Sequence, residues 1–347
     1  MEEQNADTNQ LVGINAESVT RWMLEHVDTV VAPLSFNLLQ GGHSNLTYKV
    51  TDAMGTDRVL RRPPLGHVLA TAHDMAREHR ILTGIARSDV PVPRVLALCE
   101  DIDVNEASFY VMEFVPGDVL ADTAAGRATP PMERTSIGRH LFELLADLHA
   151  INPDDIGLGE LARKDDYLGR QLKRWSRQWD ESKTRELPVM EEVRRQLEAR
   201  KPDQVGASIV HGDWRLPNML VTNGGIQAVL DWELCTLGDA MADIGYILNN
   251  WGQPNEELIG RDLEPSRAGG FGSREEMLGI YADRSGRDVS NVNYYRAFSL
   301  WRGAAISEGV LARYLAGAMG SKGLELDLQK QGIDHRAELA HQLISEL

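Results

Sequence analysis

The stretch from Ser208 to Glu233 constrains the fold more than any other part of this chain. A short apolar strand, Ser208-Ile209-Val210, runs through His211-Gly212 into the loop Asp213-Trp214-Arg215-Leu216-Pro217-Asn218. Met219 to Thr222 then reads as a strand, Asn223-Gly224-Gly225 as a tight turn, and Ile226 to Glu233 as the returning strand. The turn is a strong hairpin signal, because Asn and Gly accept positive φ at both central positions. A hairpin brings its outer ends side by side, so Asp213, Asn218 and Asp231 are expected to gather three oxygen-bearing side chains. Any one of them alone suits an ordinary turn, since Asp and Asn hydrogen-bond their own backbone. The three together, framed by a hairpin and an apolar strand, point to chemistry.

The flanks read as two different kinds of structure. A polar tail precedes a short helix from Glu17 to Val27, and from Leu38 the period changes to alternation through Leu46, Tyr48 and Val50, behind Gly41 and Gly42. Asp52 to Asp57 supplies a turn before the strand Arg58-Val59-Leu60-Arg61-Arg62. Pro63, Pro64 and Gly66 break the chain, and Val68, Ala72, Met75, His79 and Leu82 recur at helical spacing. Two further strands follow, one in the proline-rich stretch ending at Val95 and one over Ser108 to Val115, closed by Pro116-Gly117. Beyond Gly117 the pattern is mainly helical, with an apolar stripe through Ile137, Leu141, Leu144, Leu145 and Leu148. Helices are expected at Tyr167 to Trp179 and Met190 to Leu197, and again from Leu237 onward, with a glycine-rich break at Pro265 to Ser273. The expected fold class is α+β: a small antiparallel-sheet lobe over 1–115 with a leading helix, and a larger, mainly helical lobe over 116–347.

Charge and cysteine content exclude several functions. The chain of 347 residues has Lys+Arg 36 against Asp+Glu 52, a net charge of −16, which repels nucleic-acid phosphates and anionic lipid surfaces. Only Cys99 and Cys235 are present, with no paired spacing, so neither a disulfide framework nor a zinc knuckle is expected. No run reaches the roughly 18 apolar residues of a membrane span, and the acidic, polar start resembles no secretory leader. The expected compartment is the cytoplasm, and the oligomeric state is open.

Asp213 and Asn218 stand five residues apart, the separation found between the catalytic Asp and the metal-binding Asn of kinase catalytic loops. A phosphoryl group in transfer carries dispersed negative charge, so Mg²⁺ must be held by hard oxygen ligands while another carboxylate orients the attacking hydroxyl. His211, at the end of a buried strand, is read as a residue that hydrogen-bonds the loop backbone.

Together His211 to Asn218 and Leu230 to Glu233 resemble the aminoglycoside phosphotransferase family, which also includes choline and homoserine kinases. The stretches 59–64, 146–158, 165–179 and 293–315 are similar to the kinase-like domain found fused to some acyl-CoA dehydrogenases. The resemblance implies a two-lobed protein-kinase-like fold, ATP or GTP as donor, Mg²⁺, and a small-molecule hydroxyl acceptor. By position it implies Asp213 as the catalytic residue and Asn218 and Asp231 as metal ligands. Gly41, Gly42, Ser44 and Asn45 fall in the loop that covers phosphates, where glycine lets backbone N–H groups approach. Arg61 stands where the family has a lysine for the α/β-phosphates, with Glu78 as its helix partner. Arg62, on the opposite strand face, is expected to be solvated. Backbone groups of Glu113 and Val115 fall at the adenine-binding hinge, and Asp243 corresponds to the residue that braces the catalytic loop, with Asp239 a further candidate. Tryptophans 175, 179, 251 and 301 read as core or as acceptor-pocket walls. The acceptor is either an aminoglycoside, a hydroxylated acyl compound or another metabolite. A catalytically weak nucleotide-binding regulator is the alternative, prompted by arginine at the lysine position. A metal-dependent or serine hydrolase finds no HExxH or GxSxG pattern to support it.

Overall fold

A computed structural model of the chain describes residues 12–39, 45–65, 74–258, 262–317 and 325–347. The chain divides into two compact units, Met1–Arg87 with Val92–Val115, and Ser88–Pro91 with Pro116–Leu347.

The first unit contains helix α1 (Ala16–His26), strands β1 (Ser35–Leu38), β2 (Leu46–Thr51) and β3 (Asp57–Arg62), helix α2 (Met75–Ile85), strand β4 (Val95–Cys99), the short helix α3 (Ile102–Asn105) and strand β5 (Phe109–Glu113). The strands form one antiparallel sheet in the order β1-β2-β3-β5-β4. β1 lies before the point where alternation becomes visible in the sequence. β4 follows the prolines instead of containing them, because a proline cannot donate to the ladder.

Strand alternation gives the sheet two faces with different tasks. Tyr48, Val50, Leu60, Phe109 and Val111 pack with Val19 and Met23 of α1 in one core cluster. On α2 the residues Met75, Ile81, Leu82 and Ile85 are buried, together with Glu78. Asp74 caps that helix by accepting from Arg77 N–H at 2.9 Å. Arg62 is not solvated, contrary to expectation: it is only 4% exposed. Its Nε donates to Pro63 O at 3.1 Å and its Nη1 to the carbonyls of Gly13 and Asn105. The side of the sheet that faces α1 supplies carbonyl acceptors, which a guanidinium can satisfy without leaving the interior.

The second unit begins with β6 (Asp118–Val119), α4 (Thr123–Ala128), α5 (Pro131–Ala150), α6 (Tyr167–Ser182) and α7 (Pro188–Ala199). It continues through β7 (Ser208–Val210), β8 (Met219–Thr222), β9 (Gly225–Val229), β10 (Thr236–Gly238), α8 (Met241–Asn249), α9 (Arg274–Ser285), α10 (Val292–Leu315) and α11 (Leu326–Ser345). β6, β8 and β9 form one small sheet, and β7 pairs with β10 in a second. The expected return to helix at Leu237 is therefore corrected, because Thr236–Gly238 first pairs with Val210–Ser208. Helix α10 packs against α6, α7, α8 and α11. Trp179, Trp251 and Trp301 are fully buried core residues, and each indole N–H finds an acceptor at 3.0 to 3.1 Å. Trp175 is half-buried and donates to Gln171. No described helix is long and apolar enough to cross a membrane.

Candidate functional site

The hairpin forms as the sequence requires. Asn223 and Gly224 take φ of 51° and 75° between the paired Thr222 and Gly225. Pairing of Met219 with Val229 places Asn218 and Leu230 at the open end, where Leu230 N–H donates to Asn218 O at 2.8 Å. Leu230 O accepts from His211 Nε2 at 3.0 Å, so one residue stitches the returning strand to both sides of the loop. His211 Nδ1 accepts from Asp213 N–H at 3.2 Å, which assigns the ring proton to Nε2. With its ring edge-on to Trp214 and Trp232 and no exposure, His211 is the backbone brace the sequence suggested.

Gly212 turns the chain into the loop at φ +86°, and a Cβ there would come within 3.0 Å of Leu234 Cβ and O. Only glycine fits that corner. Its N–H donates to Asp243 Oδ1 at 2.8 Å, and His211 N–H donates to Asp243 Oδ2 at 2.7 Å. His149 Nε2 lies 3.3 Å from the same Oδ2. Burial alone would raise the Asp243 carboxyl, but hydrogen bonds from His149 and Gly212 outweigh it and hold Asp243 below its ordinary value. Burial keeps His149 neutral by lowering its pKa against the pull of Asp243. Asp239 has a different neighbourhood, accepting from Tyr295 OH at 2.7 Å and Met241 N–H at 3.0 Å.

The loop thus held presents Asp213. Asn218 Nδ2 donates to its Oδ2 and to its carbonyl, both at 2.8 Å. Oδ1 accepts from the hydroxyl of Tyr246 on α8. Arg215 Nε stands 3.1 Å from that oxygen as an ion pair, at an angle that leaves its N–H without a hydrogen-bond partner. Neither Tyr246 nor Arg215 is marked by any sequence pattern: Tyr246 lies in an apolar helix and Arg215 is one cation in a loop. The Arg302 guanidinium lies 5.8 Å from the Tyr246 ring centroid. Burial and then the Asp213 charge push the Tyr246 hydroxyl well above its usual pKa, so it keeps its proton.

Asp231 follows Leu230 directly and takes left-handed backbone angles, φ 65° and ψ 63°, which Asp tolerates better than most side chains. Because Asn218 Nδ2 is committed to Asp213, the amide offers Oδ1, and Asp231 adds a carboxylate. Both are hard oxygens of the kind divalent cations take. Among the described residues no three His, Cys, Asp or Glu side chains cluster to hold a metal by themselves.

In the first unit, β3 presents Arg61 on the face opposite Arg62. Arg61 Nε lies 3.1 and 3.3 Å from the two oxygens of Glu78, and Nη1 is 3.4 Å from Thr47 Oγ1. The pair is largely buried, with side-chain exposures of 13% and 4%. Asn45, just before β2, is buried; Gly41, Gly42 and Ser44 lie outside the described residues. Glu113 N–H donates to Arg94 O at 2.9 Å, and its carboxylate pairs with Arg94 at 2.6 Å. Val115 follows just beyond the end of β5.

A family model described as phosphotransferase enzyme family matches residues 35–276. The chain belongs to that family. It is 35% identical over 297 residues to acyl-CoA dehydrogenase family member 10 of Mus musculus; the match takes in 83% of this chain and 27% of that protein. The chain therefore spans about a quarter of the mouse relative. A candidate aminoglycoside phosphotransferase from Ralstonia eutropha superposes with a TM-score of 0.81 at 34% identity, over 95% of this chain and 98% of that one. A thermostable mutant of the aminoglycoside phosphotransferase APH(4)-Ia, solved with AMP-PNP and hygromycin B, shares the fold at TM-score 0.59 and 16% identity, over 94% and 98% of the two chains. The fold is the expected kinase-like one.

Proposed function

We propose that this protein transfers the γ-phosphoryl group of Mg-ATP or Mg-GTP to a hydroxyl of a small molecule. The observation that carries the proposal is the Asp213–Asn218 pair, bonded side chain to side chain on a loop whose backbone N–H groups are clamped by buried Asp243. Asp213 orients the acceptor hydroxyl and takes its proton. Asn218 Oδ1 and Asp231 would hold Mg²⁺, which supplies charge neutralisation to the phosphates. Arg61, fixed by Glu78, binds the phosphates with Gly41, Gly42, Ser44 and Asn45, and the backbone of Glu113 and Val115 meets the base. Arginine at the lysine position does not favour a mere regulator, because it keeps both its charge and its glutamate partner.

For the acceptor we favour a hydroxylated acyl compound over a polycationic antibiotic. The Arg215 guanidinium stands 3.1 Å from Asp213 and the Arg302 guanidinium 5.8 Å from the Tyr246 ring centroid, cations that favour an acceptor bearing negative charge over one bearing positive charge. The dehydrogenase relative agrees with that choice.

The test is Asp213→Asn, with product searched by mass spectrometry among hydroxyacyl thioesters and aminoglycosides. Loss of a general base predicts transfer slower by ~10²–10⁴-fold, with Mg-nucleotide still stabilising the protein. Unchanged turnover would remove Asp213 from its role, and preferential phosphorylation of aminoglycosides would overturn the acceptor assignment.

A further inference from the structure

The Asp213 carboxylate has no oxygen left without a neighbour. Asn218 donates to Oδ2 at 2.8 Å, and Oδ1 accepts from the Tyr246 hydroxyl. A residue that orients an acceptor hydroxyl does so by accepting its hydrogen bond. At Oδ1 one such bond is already made by a hydroxyl, and Arg215 Nε stands 3.1 Å from the same oxygen, so both sides of Oδ1 have a neighbour. Tyr246 thus stands on Asp213 as an acceptor would.

The placement of Tyr246 is well determined. It lies on α8 three residues after Asp243, so one face of the helix carries both the clamp on the loop backbone and the donor to the loop's carboxylate. Its ring lies beside the Arg302 guanidinium, and its raised pKa keeps it a donor.

A transferase that holds a nucleotide beside a general base risks passing the phosphoryl group to water. In that side reaction a water oxygen bonds to the γ-phosphorus and the bond to the β-phosphate oxygen breaks. The water proton goes to Asp213, and nucleoside diphosphate and phosphate leave. Tyr246 is not consumed. We propose that Tyr246 is a positioning residue that occupies Asp213 Oδ1 until an acceptor arrives, denies that oxygen to water, and so suppresses idle nucleotide hydrolysis. The inference rests on the transferase reading above.

The experiment measures ADP formed from Mg-ATP by the full chain without any acceptor, in wild type, Tyr246→Phe, Asp213→Asn and the double variant. Tyr246→Phe keeps the ring beside Arg302 and removes only the donor. Idle hydrolysis is expected to rise about fivefold, the factor that goes with one hydrogen bond. The rise should vanish in the double variant, since the water reaction needs Asp213. A rate at or below wild type in a Tyr246→Phe protein that melts and binds Mg-ATP normally would overturn the proposal. If Tyr246→Phe does not fold, 3-fluorotyrosine at 246 takes its place. Its more acidic phenol donates more strongly, so idle hydrolysis should fall below wild type; an equal or higher rate would be fatal. Failure of the transferase reading looks different, because wild type would then gain no stability from either Mg-ATP or Mg-GTP and Asp213→Asn would change nothing.

Discussion

Asp243→Asn separates a carboxylate that organises the loop from one that merely fills space. Asp243 serves His211 N–H through Oδ2 and Gly212 N–H through Oδ1, with His149 Nε2 also at Oδ2. An amide has one oxygen. Whichever way it is turned, its NH₂ faces one of the loop's N–H groups, and that donor is left buried without an acceptor. A hydrogen bond to a charged group contributes about 1.5–3 kcal/mol, and an orphaned buried donor costs about 1–3 kcal/mol. The two overlap, so a loss of ~3 kcal/mol is expected. With a urea m-value of ~3 kcal/mol/M the unfolding midpoint should fall by about 1 M. Asp239→Asn is the matched control, because Tyr295 OH can turn from donor to acceptor while the amide oxygen keeps Met241 N–H. It should cost about 1 kcal/mol or less. Equal midpoints for the Asp243 variant and wild type, or equal losses in the two variants, would refute the clamp.

Gly212→Ala should destabilise by about 1–3 kcal/mol, since it combines φ +86° with a Cβ at 3.0 Å from Leu234; Gly55→Ala, at φ +77° with open space, should cost only the conformational part of that in the same denaturation assay. Acid should weaken the fold through His149. Its pKa lies below the ordinary 6.5 in the folded state, so the unfolded chain binds the proton first and stability is lost as pH falls from about 6.5 toward the folded value, by at most ~1.4 kcal/mol per pH unit for one histidine. His79 and His140, also lowered by burial, add to the trend. Unfolding free energies from pH 8 to 5 should therefore slope less in His149→Gln, and an unchanged slope would assign the effect elsewhere.

What could be read from the chain was local. The hairpin, its turn residues and the spacing from Asp213 to Asn218 lie within one short stretch, and turn chemistry with alternation sufficed to gather them. Strand alternation separated the faces of Arg61 and Arg62, but the pairing of Arg61 with Glu78 was implied only by the family resemblance. Arg62 was misread because alternation says which face a residue takes, not what covers it; the carbonyls of Gly13 and Asn105 come from segments 49 and 43 residues away. β10 escaped notice because three residues carry no periodicity and its partner β7 is remote in sequence. Tyr246 left no trace, since a tyrosine in an apolar helix ordinarily reports packing. Asp243 was visible only through family resemblance, since nothing near it in sequence announces two backbone donors.

Arg62 and Arg61 are consecutive on β3, one tied to carbonyls behind the sheet and the other to a glutamate in front. A strand cannot twist at one of two adjacent residues without turning the other. The anchor behind the sheet therefore sets the aim of the side chain in front, and a substitution at Arg62 would be felt first as a loosened Arg61–Glu78 pair.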